Sequence, residues 1–168
     1  MNKYAVSAIG LLILIGVNGS IWQKEQVLSN GQTVFLTLAP VDPRSIMQGD
    51  YMRLRFELES QVRTQLPQDQ TENSQGFVLV KLDDKGIAQF INLQTEPMII
   101  EPHTAALQYR VREGKIKFAT DAFFFEEGQG DIYAQAKYGE FKVAENGELL
   151  LTDLRGENLI KLNKKALD

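Results

Sequence analysis

The chain opens on a long apolar run and then changes rhythm. Between Tyr4 and Trp22 most positions are apolar, with a polar break at Asn18-Gly19-Ser20. A helix over this stretch rises about 27 Å, close to the ~30 Å thickness of a bilayer's hydrocarbon layer. The polar "QKEQVLSNGQ" extends that helix by a turn or two. Asn30-Gly31 ends it, glycine being the residue that tolerates the left-handed conformation after a helix. From there the apolar positions alternate. "TVFLTL", residues 33 to 38, reads as a strand, and so does "YMRLRFEL", 51 to 58, where Met52, Leu54, Phe56 and Leu58 share one face. "SQVRTQLP" allows one short helix before Pro67. Three hairpins follow: "FVLVKLDDKGIAQFINL" around Asp84-Lys85-Gly86, "ALQYRVREGKIKFA" turning at Glu113-Gly114, and "EFKVAENGELLLTDL" with a two-residue turn at Asn146-Gly147. Between the last two, Asp131 is the expected N-cap of a short helix from Ile132 to Tyr138, stopped by Gly139.

These elements predict a mainly β chain: a single N-terminal transmembrane helix, then an antiparallel β-sandwich or partly open barrel with one or two short helices. Residues 1-30 form the membrane anchor and juxtamembrane helix, and 31-168 an extracytoplasmic β-rich domain. The expected core includes Met52, Leu54, Phe56, Val78, Val80, Phe90, Tyr109, Val111, Phe141, Val143, Leu149 and Leu151.

Charge sets the expected orientation. Lys3 and the terminal amine bias the short amino end to the cytoplasm, while Tyr4 and Trp22 fall at the two interfaces. The expected location is therefore the bacterial cytoplasmic membrane, single-pass, with the main domain outside. The competing reading is a cleaved signal peptide, with Val17 and Gly19 as the small residues before the cut. A net charge of -4 gives no reason to expect a nucleic-acid partner. Without cysteine there is no disulfide, thiolate metal site or lipid-modified cysteine, and His103 is the single histidine. No cofactor and no metal centre are expected.

The candidate chemistry lies in "RSIMQGDYMRLRFEL" and "FFFEEGQGD". Gly49-Asp50 has the residues of a tight turn, glycine for a positive φ and aspartate for capping backbone amides. Alternatively, Asp50 is a general acid or base whose charge state Arg44 sets, and Ser45 a nucleophile that lacks an activating base in the stretch. Glu126, Glu127 and Asp131 offer oxygens to calcium, but their order does not match a calcium loop. A binding edge arises if the "EEGQG" loop meets the Asp50 turn at one rim. Arg44, Gly49, Asp50, Tyr51, Leu54, Glu127 and Gln129 are its candidate residues. The three consecutive phenylalanines at 123 to 125 cannot all be buried by a one-faced strand, which favours an interface. Lys161, Lys164 and Lys165 indicate no more than solvation.

"GDYMRLRF" resembles the signature of the GDYXXLXY protein family, with Phe56 in place of the final tyrosine. The resemblance extends to the apolar run, "LAPVDPRSIMQGDY", the following hairpin and "FFFEEGQGDIYAQA". It implies a small, singly anchored bacterial membrane protein, of a kind often encoded beside multi-spanning membrane proteins. No catalytic role comes with it, and Gly49, Asp50, Tyr51 and Leu54 carry over as signature positions only. The loss of a hydroxyl at Phe56 argues that this position packs. The leading expectation is a non-enzymatic, membrane-tethered domain that binds or assembles with a multi-spanning membrane protein. The alternatives are an envelope hydrolase using Asp50 and Glu127 as a carboxylate pair, and a small-ligand-binding barrel.

Overall fold

The computed structural model describes residues 3–40, 51–67, 73–98 and 101–162, with side chains from residue 9 onward. Helix α1 spans Lys3–Asn30. Its apolar side chains are exposed on every side, Leu12, Ile13, Leu14, Ile15 and Trp22 lying between 60% and 69% accessible. From Ile9 to Trp22 the described apolar run rises about 20 Å, short of the ~30 Å hydrocarbon layer. Among the described residues, no helix is long and apolar enough to cross a membrane. The last turns of α1 behave differently. Val27 is buried, and Lys24 forms an ion pair with Glu148. The helix ends at Asn30 as expected, but Gly31 is not among the residues of positive φ. What it answers to is crowding: a Cβ there would lie 2.3 Å from the Val27 carbonyl oxygen.

The remainder is mainly β and antiparallel. Among the described residues nine strands follow: β1 (Gln32–Thr37), β2 (Tyr51–Arg53), β3 (Ser74–Leu82), β4 (Ala88–Gln94), β5 (Thr104–Arg112), β6 (Lys115–Lys117), β7 (Ala122–Phe124), β8 (Tyr138–Val143) and β9 (Leu149–Arg155). They form three sheets, ordered β1-β8-β9, β2-β7 and β4-β3-β5-β6. Single bridges join the margins, Phe35 to Ile87 and Leu38 to Phe56. One hydrophobic cluster fills the space between them. Of the expected core, ten side chains are buried, while Phe90 and Leu151 are partly buried against the cluster.

All three hairpins form, with one correction. Asn146-Gly147 is not a two-residue turn. The Ala144 amide donates to the Glu148 carbonyl, and the Gly147 amide donates back to the Ala144 carbonyl, each at 2.9 Å. The loop is therefore Glu145-Asn146-Gly147, with Gly147 left-handed at φ 81. Asp84-Lys85-Gly86 is closed in the same way. Such three-residue loops place a left-handed residue last, whereas a two-residue turn needs positive φ at both central positions. Glu113 and Gly114 meet that demand at φ 53 and 72.

The expected strand 51–58 is also shorter. β2 stops at Arg53, and helix α2 (Glu57–Gln65) begins where the alternation was expected to continue. Leu58 is buried from the helix, with Val62 one turn on. Glu59 decides the boundary: its carboxylate accepts the Phe56 amide at 3.0 Å and caps the helix start. Burial holds that carboxyl above its ordinary range, partly offset by the Phe56 amide and the Arg55 charge. The second helix, α3, is only Gly130–Tyr133, with Gln129 and not Asp131 at the N-cap position and no side-chain cap there. Gly139 does not stop it; it lies in β8 opposite Leu36.

Candidate functional site

Residues 51 to 56 run along the seam of the molecule and divide between surface and core. β2 pairs with β7 in the register Tyr51–Phe124, Met52–Phe123 and Arg53–Ala122. The pairing continues loosely beyond it, the Leu54 amide donating to the Asp121 carbonyl at 2.8 Å and Ala39 donating to the Arg55 carbonyl at 2.9 Å. Alternation sends Met52, Leu54 and Phe56 inward, all at most 4% exposed. The Phe56 ring meets Phe141 edge-on at 5.4 Å and Phe118 at 6.5 Å. Gly139 leaves room for it: a Cβ there would fall 2.9 Å from Phe56 Cε1 and 3.0 Å from Phe141 Cε2.

The other end of the segment is open. Tyr51 is half-buried and lies 5.8 Å, ring to ring, from Phe124, which is 74% exposed. The neighbours of Phe124 turn the opposite way. Phe123 approaches Tyr133 at 5.0 Å and Phe125 stacks on it at 5.3 Å, so the short α3 covers two rings of the three. Burial raises the Tyr133 hydroxyl above its ordinary range. The run of three phenylalanines is thus resolved as two against α3 and one outward beside Tyr51.

The loop that follows is held by its own contacts. Gln129 donates through its side-chain amide to Glu126 at 2.9 Å and through its backbone to the Glu126 carbonyl at 3.1 Å. Glu127 is exposed and Gly128 is left-handed. Among the described residues, no group of three or more acids or histidines is placed to hold a metal ion. Arg44, Ser45, Gly49 and Asp50 lie outside the described residues, as does the turn they were expected to form. Of the candidate residues, Tyr51 and the loop carrying Glu127 and Gln129 come to one edge through the Tyr51–Phe124 pair. Leu54 does not join them and packs in the core.

A separate cleft of about 420 Å³ is lined by Leu38, Met52, Leu54, Tyr133, Lys137 and Tyr138 among others. It lies at the margin where β1, β2 and β8 meet; the interior between the sheets is filled by side chains. His103 is a turn residue whose carbonyl accepts the Leu82 amide at 2.8 Å. Lys161 does more than solvate. Its ammonium pairs with the nearly buried Asp153 at 2.9 Å, and that contact raises its titration above the ordinary lysine range. Nothing in the local pattern marks this pair. Gly139 had a signal in its position, since a glycine inside an alternating run indicates close approach of another group.

Fold and edge define a class first: a small, mainly antiparallel β domain led by a long N-terminal helix, with an aromatic rim at one sheet. The chain then matches the family described as GDYXXLXY protein over residues 13–154, most of its length, and belongs to that family. No curated protein and no solved structure matches it.

Proposed function

We propose that the chain is a membrane-tethered, non-enzymatic domain that binds another membrane protein through the Tyr51–Phe124 rim. The observation that carries this reading is the Phe124 ring, 74% exposed on an ordered strand and paired with Tyr51. A large aromatic held outward at low entropic cost is the kind of side chain that anchors interfaces. No group of the described rim is arranged as a catalytic pair, Glu127 being exposed on a turn.

Tethering is supported by the exposed apolar face of α1 from Ile9 to Trp22. The sequence of the same helix is also largely apolar from Tyr4 to Ala8, which brings the apolar segment to about 27 Å. Lys3 places its amino end in the cytoplasm and the β domain outside. Residues 1-30 then act as the anchor and 31-168 as the binding domain. A multi-spanning membrane protein is the expected partner.

A photo-reactive amino acid at position 124 in membranes of the native host tests the interface. A discrete adduct that disappears on Tyr51→Ala supports it; the absence of any adduct, with the protein present in the membrane, sinks it. A reporter fused after Asp168 tests topology: activity only outside the cytoplasm is expected, and release of a fragment beginning near Ser20 would replace the anchor by a cleaved signal.

A further inference from the structure

We infer that the cleft beside Arg53 receives the free carboxy-terminal end of a partner polypeptide, added as a short strand along the open edge of β2. The edge follows from the ladder. In an antiparallel pair, successive residues direct their backbone groups alternately toward the partner strand and away from it. The Leu54 amide reaches the Asp121 carbonyl on the β7 side, whereas the Arg55 carbonyl accepts the Ala39 amide on the other side. Arg53 shares the outward direction of Arg55, two residues on. β2 has β7 as its one neighbour in the sheet, and no backbone bond beyond that sheet engages Arg53 among the described residues. Arg53 lines the cleft of about 420 Å³. An unpaired donor and acceptor on a strand edge are a template for another extended chain.

The shape of the cleft selects the end of a chain. Just beyond Arg53 the edge is closed by the Ala39–Arg55 hydrogen bond at 2.9 Å and by the bridge between Leu38 and Phe56. A strand pairing with Arg53 cannot run on past Arg55, so an internal stretch does not fit. Lys137 selects which end. Its carbonyl accepts the Leu38 amide at 2.8 Å, which fixes it next to the closing bridge. Its side chain is exposed and forms no ion pair among the described residues. The charges of Arg53 and Arg55 act in part on Asp121 and Glu59, so Lys137 is the cation left for a terminal carboxylate. Glu57 is the one acid among the described lining residues, and it sits in the first turn of α2, where the helix dipole offsets its charge. Half-buried Leu38, Tyr133, Ala136 and Tyr138 furnish walls for an apolar last side chain. A volume in the range of small-ligand pockets admits only the last few residues.

Full-length protein in a neutral detergent is passed over peptides immobilised through their amino ends, with the last three positions randomised. A duplicate set is amidated at the carboxy end. Retention is expected on free-carboxylate peptides that end in an apolar residue, and not on the amidated set. For a retained sequence, Lys137→Gln should weaken binding about tenfold, the size of one lost hydrogen bond to a charged group. Glu57→Gln should tighten it. The Arg53 amide, followed by NMR, should exchange with solvent more slowly once the peptide is bound. Equal retention by the two sets, or retention by neither, overturns the inference, and so does an Arg53 amide whose exchange does not change. Displacement of the peptide by an equal concentration of decanoate also overturns it, by assigning the cleft to a small carboxylate. The assay needs neither a membrane nor the partner of the Tyr51–Phe124 rim, so it fails or succeeds separately from the function proposed above.

Discussion

Tyr51 and Phe56 belong to one six-residue segment, yet they sit in opposite environments. Phe56 is 2% exposed, ringed by Phe118, Phe141 and the bare backbone of Gly139. Tyr51 lies at a sheet edge against a ring that is 74% exposed. A stretch that reads as one site is therefore a core element at one end and a rim at the other. The signature records both demands, packing and surface, and only the second has room to bind anything.

Truncating the core end should have the largest effect. Phe56→Ala removes a fully packed ring and is expected to cost about 3–5 kcal/mol, read as a drop in denaturant midpoint. A loss below 1 kcal/mol would mean that the ring is not the pivot of the core. Gly139→Ala comes next. Its methyl must displace two aromatic rings, and overpacking of this kind costs about 1–3 kcal/mol. Combining it with Phe56→Leu should recover part of that loss, since the two changes share one contact.

Glu59→Gln tests the boundary between the two ends. Glutamine keeps an oxygen for the Phe56 amide while removing a charge that burial disfavours. A carboxyl whose folded pKa is raised contributes stability that is fully present below its unfolded value, 4.5, and is lost as pH rises through the folded value. Wild type and variant should therefore diverge above that window, with the variant ahead at neutral pH by no more than about 0.5 kcal/mol after solvent screening. Thermal midpoints followed from pH 3 to 8 would show it; a variant that is worse at pH 7 would mean that the charge, not the oxygen, holds the cap.

At the rim the stability effect should be smallest. Phe124→Ser is expected to change unfolding free energy by about 0.5 kcal/mol or less, because its ring is mostly in water already. Partner capture should nevertheless be lost when the photo-reactive residue is moved to the exposed position 127. If instead the domain unfolds, the exposed ring is structural and the contrast with Phe56 collapses.

Local pattern determined a good deal of this protein. The β character, the three hairpins and their order, the end of α1 at Asn30 and the burial of Met52, Leu54 and Phe56 all follow from alternation and turn residues acting over a few positions. The family signature was legible for the same reason, being a contiguous string. Other features depended on contacts that alternation does not reveal. The alternation of 51–58 continues through Leu58, but the Glu59 carboxylate closes a helix cap on Phe56, and Leu58 reaches the core equally well from a helix. Gly139 resembles a helix stop until Phe56, 83 positions earlier, is seen to occupy the space of its missing side chain. Which phenylalanine of 123 to 125 faces outward was settled by Tyr133, and the role of Lys161 by Asp153. In each case the deciding term is a particular contact, steric or electrostatic, that alternation does not specify, and the one at Gly139 joins residues so far apart that it exists only once the chain has folded.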